Sequence, residues 1–117
     1  MKSKITNPEL IHTIKTLKRR FNDTQAALWN DLAKRLYKNK RASINLSQIN
    51  RNTKENDIIA VPAKVLGTGM INHPLKVAAL NFSKKAREKI NNVGGECLTL
   101  PELINRNIKS SDIKIIS

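Results

Sequence analysis

The sequence is short of the residues that cross-link small proteins or anchor them in membranes. It has a single cysteine, Cys97, which leaves no partner for a disulfide within the chain. No apolar run approaches the roughly eighteen residues of a membrane-spanning helix. No charged and then apolar leader stands at the amino terminus. We therefore expect a protein of a reducing compartment, the cytoplasm, that folds without disulfides and away from membranes.

Aromatic residues and metal ligands are equally scarce. One Trp, one Tyr and two Phe cannot form the rows of rings on which many single-strand binders stack successive bases. Their scarcity also argues against an interfacial membrane helix, which carries aromatic residues beside a wide apolar face. His12, His73 and Cys97 are too scattered for a four-ligand zinc site, and no paired-cysteine or paired-histidine spacing occurs. We expect neither a metal nor a cofactor.

What the sequence has in excess is positive charge. Its 22 Lys and Arg residues against 9 Asp and Glu residues give a formal net charge of +13 and a pI of about 10.3. A polyanion relieves such self-repulsion, and contacts with phosphates add affinity by releasing condensed counterions. Residues 1–41 carry eleven basic and three acidic residues, a net +8, so this third of the chain is the expected anion-binding region. The composition favours nucleic acid as the partner.

The most apolar part of the chain lies near its middle, at residues 58–69 and 76–82. Short runs of β-branched residues bounded by turn-forming residues predict strands at 58–61, 64–66 and 75–80. Pro62 cannot donate a hydrogen bond to a neighbouring strand and is expected to mark a bend or bulge. This segment is the predicted scaffold of the fold.

Two helices are predicted before the scaffold. Asn7 as N-cap and Pro8 at the first helical position begin helix one, and Asn22-Asp23 is expected to end it. Apolar residues at helical spacing predict a second helix over about 24–37, and the two should form an antiparallel pair. From residue 42 to 56 the pattern favours a short strand followed by one helical turn from Ser47.

Strands and helices alternate after the scaffold. Ser83 caps a helix to about Asn92, whose basic residues should face solvent, and Thr99 with Glu102 has the spacing of a capping box. Short strands are expected at 96–98 and 113–116. The 117 residues should form one domain of the α/β class, in which the N-terminal helical pair packs on a small, mostly parallel sheet with crossover helices.

Several short motifs occur in an order that resembles a known family, archaeal large-subunit ribosomal protein eighteen-e. Collectively they are specific, although no single one is. They are Thr6-Asn7-Pro8, Trp29, Asp31-Leu32-Ala33, Leu36, Asn45-Leu46-Ser47, Ile49, Val61-Pro62, Lys64-Val65-Leu66-Gly67, Gly69, Val77-Ala78-Ala79 and Phe82-Ser83.

The resemblance implies the fold of bacterial-type large-subunit protein fifteen and a structural, non-catalytic role on large-subunit rRNA, beside neighbouring ribosomal proteins. It implies no membrane and no small-molecule substrate. The sequence departs from the family pattern at Ala63, where glycine is expected between Pro62 and Lys64. If the backbone there needs a positive φ, alanine would be strained.

Basic runs without interspersed acids are the candidate RNA contacts. Residues 1–6 form a basic arm that is expected to become ordered on its partner. The candidates are Lys2, Lys4, Lys15, Lys18, Arg19, Arg20, Lys38, Lys40, Arg41, Arg51, Lys64 and Arg87. Their contacts with phosphate would recognise the shape of folded RNA and not its base sequence.

Three features have a structural interpretation beside the functional one. Gly67-Thr68-Gly69 could cradle a phosphate, but Asn72 stands where a dinucleotide fingerprint has glycine, so a plain tight turn is favoured, which could also touch rRNA backbone. Trp29 could stack on a base, yet its helical phase favours core packing. Cys97 has no nearby base to activate it and is expected to act as a small apolar side chain.

Two other functions remain compatible with the sequence. A DNA-binding chromatin or regulatory protein would use the predicted helical pair, joined near Asn22 to Gln25, to place a recognition helix. A small enzyme with a phosphorylated substrate would need a convergent acid, base and nucleophile, and no such set is evident.

Overall fold

The computed structural model describes residues 8–38, 43–106 and 108–116, apart from the side chain of Glu9. Eleven short elements alternate along this part of the chain. They are α1 (Pro8–Thr24), α2 (Ala27–Lys38), β1 (Ser43–Asn45), α3 (Leu46–Asn52), β2 (Ile58–Leu66), β3 (Lys76–Phe82), α4 (Lys84–Asn92), β4 (Glu96–Thr99), α5 (Leu100–Asn105), a 3-10 turn (Ser110–Asp112) and β5 (Ile113–Ile115).

The strands form one five-stranded sheet in which every pairing between described strands is parallel. The strands β1 to β4 lie side by side in that order, and β5 also pairs with β2. β1 lies beside residues 64–66 of β2, whereas β5 lies beside residues 58–60. The two therefore share one edge of β2, each covering one end of it. The prediction of an α/β fold with a mostly parallel sheet is confirmed.

Helices cover both faces of the sheet, as parallel sheets require. On one face, α3 and α4 contribute Ile49, Ala86 and Ile90 to a core that also contains alternate residues of β2 and β3. On the other face, α1, α2 and α5 enclose a second core against Ala60 and Ala78. The small alanines let these helices approach the sheet closely. The smallest principal extent, 19 Å, matches two helix-to-sheet spacings of about 10 Å each.

Trp29 belongs to the second of these cores. It lies in the first turn of α2 and is 2% exposed, so it packs in the interior and does not offer its ring to a base. The predicted core role of this residue is confirmed. Leu32, Ala33 and Leu36 follow it on the same buried stripe.

Side-chain caps begin two of the helices, as the sequence predicted. The hydroxyl of Ser83 accepts a hydrogen bond from the amide of Ala86, 3.1 Å away, at the start of α4. Thr99 and Glu102 form a capping box at the start of α5, in which Thr99 Oγ1 accepts from the Glu102 amide at 3.2 Å and Glu102 Oε1 from the Thr99 amide at 2.7 Å. The local sequence alone determines these boundaries because the capping partners are three residues apart.

Helix α1 is longer than predicted. Asn22-Asp23 does not end it, because the helix continues to Thr24. The chain turns at Gln25, which has a φ of 59°, and the Gln25 amide donates to the carbonyl of Phe21. Side chains close the last turn of α1, because the Thr24 hydroxyl donates to the Arg20 carbonyl and the Gln25 side-chain amide donates to the Asn22 carbonyl. The proposed N-cap, Asn7, lies outside the described residues.

The strands predicted at 58–61 and 64–66 are one continuous strand, β2. Its register against β3 shifts between Val61 and Lys64, because three steps along β2 correspond to two steps along β3. Pro62 lies within this bulge, where no ladder hydrogen bond is required of its nitrogen. The predicted bulge is confirmed, and the predicted interruption of the strand is wrong.

Ala63 fits its position without strain. Among the described residues other than glycine, a positive φ occurs only at Gln25 and Asn56, so the backbone at Ala63 stays in the ordinary region. Its side chain is 1% exposed and packs in the core beneath α3 and α4. The concern that alanine would be strained here is wrong, and the methyl group instead fills space next to the bulge.

Candidate nucleic-acid interface

Helix α1 presents a basic face to solvent. Leu10, Ile14 and Leu17 are buried on its inner side, which turns the intervening positions outward. Lys15, Lys18 and Arg19 are exposed on that outer side, and we call these three residues the α1 basic face. Within the described residues none of the three has an ion-pair partner. Their charges are therefore available to an external anion.

Arg20 follows Arg19 in the sequence, but its side chain has a different environment. Its guanidinium carbon lies 6.0 Å from the centre of the Trp29 ring, and the side chain is half-buried. Its Nε is enclosed and has no acceptor among the described residues. Arg20 therefore packs α1 against α2 and keeps only its outer nitrogens for a partner.

Lys38 is exposed as the last residue of α2. On the same helix, Lys34 is also exposed, whereas Arg35 donates to Asp31 at 3.1 Å. Four of the predicted contacts, Lys2, Lys4, Lys40 and Arg41, lie outside the described residues.

Of the remaining predicted contacts, two lie on the face of the sheet opposite to α1. Arg51 and Arg87 are exposed on α3 and α4, which cover the other face of the sheet. Arg87 also stacks 5.2 Å from the centre of the Phe82 ring. Lys64 lies on β2 and alternates with Ala63 and Val65, whose side chains point into the core. The predicted residues are thus distributed over two opposite faces of the molecule.

Acidic side chains neutralise few of these charges. In the described ranges, only two ion pairs occur, Arg35 with Asp31 and Arg106 with Glu96. The second is a two-point contact in which both terminal nitrogens of Arg106 donate to the carboxylate. The hydrogen bond from Arg106 holds the pKa of Glu96 below its ordinary value, and the positive charge of Arg106 adds to the effect. The other basic residues of the described chain are left to solvent, to backbone carbonyls or to a partner.

Lys89 makes contacts that its place in the sequence does not predict. It was expected to face solvent with the other basic residues of α4. Instead, its ammonium group donates to the carbonyls of Gly67 and Gly69, at 2.7 and 2.8 Å. No local signal could have identified it, because its partners precede it by 22 and 20 residues.

The loop that Lys89 holds, residues 67–70, lies at the carboxyl edge of the sheet. It leaves the end of β2 and passes between the first turns of α3 and α4. The amide of Ser47 in α3 donates to the Thr68 carbonyl at 3.2 Å. On the other side, a Cβ added at Gly67 would lie 2.5 Å from the Cβ of Lys85 in α4. The loop is therefore clamped between two helix starts at the edge where parallel sheets usually bind ligands.

Cys97 is half-buried in β4 and packs against the core beneath α4. Burial raises the pKa of its thiol, an effect that the positive charge of Arg87 partly offsets. Such a thiol is a poor nucleophile at neutral pH. The expectation of a packing role is in line with this environment.

No helix in the described part of the chain is long and apolar enough to cross a membrane.

The chain is similar to ribosomal proteins. A family model described as ribosomal proteins 50S-L15, 50S-L18e and 60S-L27A matches residues 14–98 of the chain. Large ribosomal subunit protein eL18 of Methanothermobacter thermautotrophicus is 45% identical over 113 residues, which cover 95% of this chain and 93% of the relative.

Two further relatives carry the same name. That of Methanosphaerula palustris is 44% identical over 115 residues, covering 97% of this chain and 95% of its own. That of Archaeoglobus fulgidus is 41% identical over 113 residues, which cover 95% of this chain and 97% of the relative. The family resemblance drawn from the short motifs is confirmed. The chain belongs to the ribosomal protein family that comprises 50S-L15, 50S-L18e and 60S-L27A.

Proposed function

We propose that this protein is a structural, non-catalytic constituent of the large ribosomal subunit in the cytoplasm, where it binds and stabilises folded large-subunit rRNA. Membership of the ribosomal family supports the role, and the relatives are named as proteins of that subunit. The observation that carries the RNA part is the α1 basic face, whose three cations are exposed and lack acidic partners among the described residues.

The proposed mechanism is neutralisation of phosphates by cations that a rigid core holds in place. Crowded phosphates of folded RNA repel one another, and each Lys or Arg that approaches them releases condensed counterions. The apolar side of α1 packs into a buried core, so the opposite side presents its charges at helical spacing without further ordering. Contacts of this kind recognise the shape of the RNA backbone.

The contact surface that we propose extends beyond α1. Lys38 lies at the end of α2, and Arg51, Lys64 and Arg87 are exposed elsewhere. We further propose that the whole chain is one rRNA-binding domain and that its basic arm, residues 1–6, joins the contact through Lys2 and Lys4. Lys40 and Arg41 extend the basic run that begins at Lys38. Neighbouring ribosomal proteins complete the set of partners.

Salt dependence tests the proposal most directly. The logarithm of the affinity for protein-free large-subunit rRNA should fall linearly with the logarithm of the salt concentration, by about 0.7–0.9 for each phosphate contacted. A filter-binding series from low to high potassium chloride measures this slope. A nearly flat response would contradict the proposal, and equal affinity for duplex DNA would favour the DNA-binding alternative. Cosedimentation of the native protein with large subunits in low and high salt would test its residence there.

A charge-matched set of variants locates the contact. We expect Lys15→Ala, Lys18→Ala and Arg19→Ala together to weaken rRNA binding and reduce the salt slope, because three phosphate contacts are lost. The set Lys38→Ala, Lys40→Ala and Arg41→Ala should act likewise, and neither should lower the melting temperature.

The control removes the same charge from the amino edge of the sheet. Lys54 lies before β2, Lys76 is the first residue of β3 and Lys109 lies before the turn that leads to β5, and all three are exposed. Their replacement by Ala should have a smaller effect on affinity than either of the other sets. If the three sets weaken binding equally, net charge and not a located surface determines the affinity.

A further inference from the structure

We propose that the loop formed by residues 67–70 binds a backbone phosphate of the rRNA through its peptide amides, with Lys85 as the adjacent cation and Lys89 as the residue that sets the loop. The inference deepens the proposed function and rests on it. It identifies a site on the face opposite the α1 basic face, at the carboxyl edge of the sheet.

The carbonyls of the loop have donors from two helices. The carbonyls of Gly67 and Gly69 both accept from the ammonium of Lys89, at 2.7 and 2.8 Å. The intervening carbonyl of Thr68 accepts from the amide of Ser47 at 3.2 Å. Three successive carbonyls are thus directed at donors that belong to the α3 and α4 layer.

The planarity of the peptide bond relates the directions of these carbonyls to those of the loop amides. In a trans peptide the N–H of one residue points opposite to the C=O of the residue before it, and no cis peptide occurs in the described chain. The amides of Thr68 and Met70 therefore point away from Lys89, and the amide of Gly69 points away from Ser47. None of the three has an acceptor among the described residues. Unpaired amides on successive residues of a turn are the donors from which proteins build anion sites.

The charge next to the loop is positive. Helix α4 begins with Lys84 and Lys85 and has no acidic residue in its first turn. Cations are unfavourable at this end of a helix, where the helix dipole attracts negative charge. Both lysines are exposed and have no ion-pair partner in the described ranges. An anion at the loop would relieve this local conflict because it would neutralise the lysines and complement the dipole.

The loop formed by residues 67–70 has little side-chain cover. Gly69 has a φ of 91°, and a Cβ there would lie 2.6 Å from the Cβ of Ser47, so the loop can follow this path only without a side chain. Met70, the next residue, is 73% exposed. Thr68 is exposed as well, so this side of the loop faces solvent. The sheet edge on which the loop amides lie is the one where α/β proteins bind ligands.

These observations give two lysines different roles. Lys85 is close to the loop and free to contact a phosphate, so its removal should reduce both affinity and the salt slope. Lys89 is occupied by two carbonyls, so it acts as a positioning residue. Its removal should disturb the amides without removing a phosphate contact of its own. The two substitutions remove the same charge, which makes them a matched pair.

The binding experiment compares Lys85→Met and Lys89→Met with the wild type on protein-free large-subunit rRNA over a salt series. We expect each variant to weaken binding by about tenfold, the effect of losing hydrogen bonds to a charged group. The slope should fall by about 0.7–0.9 for Lys85→Met and stay unchanged for Lys89→Met. A slope reduced equally in both variants would overturn the positioning role, and unchanged affinity in both would overturn the site.

A second experiment observes the amides themselves. In 1H–15N spectra of the labelled protein, inorganic phosphate should move the amide protons of Thr68, Gly69 and Met70 downfield relative to chloride at equal ionic strength. Lys89→Met should abolish these shifts, and Met70→Pro, which removes one amide without changing the charge, should weaken rRNA binding with an unchanged slope. Melting curves identify any variant that fails to fold, and the wild-type spectra then decide alone.

The outcomes separate the two proposals. If the wild type binds rRNA with a steep salt slope but the loop amides do not move with phosphate, the site is wrong and the proposed function stands. If the wild type shows no salt-dependent binding to rRNA, the proposed function fails, whatever the amides do with phosphate.

Discussion

The guanidinium carbon of Arg20 lies 6.0 Å from the centre of the Trp29 indole ring. This contact joins the last turns of α1 to the first turn of α2, which are connected by only two residues outside the helices. Arg20 and its exposed neighbour Arg19 are adjacent and chemically identical in sequence. The fold therefore assigns them to different tasks, the first to helix packing and the second to the solvent-facing surface.

Replacing Arg20 by Ala should lower the stability of the protein. The change removes a cation–π contact and the packing of the apolar stem on the indole, together about 1 kcal/mol. Arg19→Ala is the matched control and should leave the free energy of unfolding unchanged, since its side chain is exposed. Urea denaturation followed by Trp29 fluorescence measures both. Equal stabilities of the two variants would show that the stacking contributes nothing.

Gly69→Ala should be strongly destabilising. A Cβ would strain the backbone at a φ of 91° and would also lie 2.8 Å from the amide nitrogen of Ser47. Gly94 provides the control, because its φ is 82° but the nearest atom to an added Cβ is 3.9 Å away. We expect Gly94→Ala to cost about 1 kcal/mol for the backbone alone, and Gly69→Ala at least about 3 kcal/mol. Thermal unfolding of both variants measures their losses of stability. Equal losses would contradict this prediction.

Cys97 should react slowly with iodoacetamide in the native state. Burial is the main cause of its raised pKa, so little thiolate is present at neutral pH. The alkylation rate should rise with pH until the thiol ionises, and should increase several-fold on unfolding in urea. A Cys97→Ala variant that carries Asn92→Cys, at an exposed position, provides the comparison. Mass spectrometry of timed samples gives both rates, and a native rate equal to that of the exposed thiol would contradict the prediction.

The contact between Arg106 and Glu96 should make stability depend on pH in the acid range. The hydrogen bond from Arg106 lowers the folded-state pKa of Glu96 below its value in the unfolded chain, about 4.3. The contribution is therefore fully present above the unfolded pKa and is lost as the pH falls through the folded pKa. Arg106→Ala should be less stable than wild type at pH 7. At a pH below the folded-state pKa of Glu96, the two proteins should be equally stable.

Urea denaturation at several pH values between neutral and acid measures that difference. The effect should be small because both side chains are about two-fifths exposed, 42% and 41%. Glu102→Gln is a useful control, since it removes an acid from the same region and can keep the hydrogen bond of the capping box. A difference between Arg106→Ala and wild type that persisted unchanged at low pH would not come from the ionisation of Glu96.

Sequence reasoning succeeded where the deciding interactions are local. Ser83 and Thr99 mark helix starts because their capping partners lie three residues away. The prediction that Asn22-Asp23 ends α1 was wrong. The helix continues to Thr24 despite the low helix propensity of these two residues, because α1 packs against α2 and the chain turns only at Gln25. The concern about Ala63 failed for a related reason, because the bulge absorbs the extra residue in an ordinary backbone conformation.

For the candidate interface, too, the sequence predicts the positions of some basic residues and not those of others. The periodicity of α1 alone places Lys15, Lys18 and Arg19 opposite its apolar stripe, and the structure agrees. Nothing in the sequence near Lys89 indicates that its ammonium turns inward to carbonyls more than 19 residues away. Nor does any local pattern separate Arg20 from Arg19, or assign Arg51 and Arg87 to the face opposite α1.

The sequence by itself determined the charge excess, the apolar scaffold, the helix caps and the family to which the chain belongs, because each depends on composition or on residues close together along the chain. The tertiary structure alone decided which cations stay free and which are used internally. It also placed the loop at residues 67–70 between two helix starts. The physical reason is that hydrogen bonds such as those of Lys89 form only after a parallel sheet has brought distant segments together, and parallel pairing depends on crossovers that no short window of sequence contains.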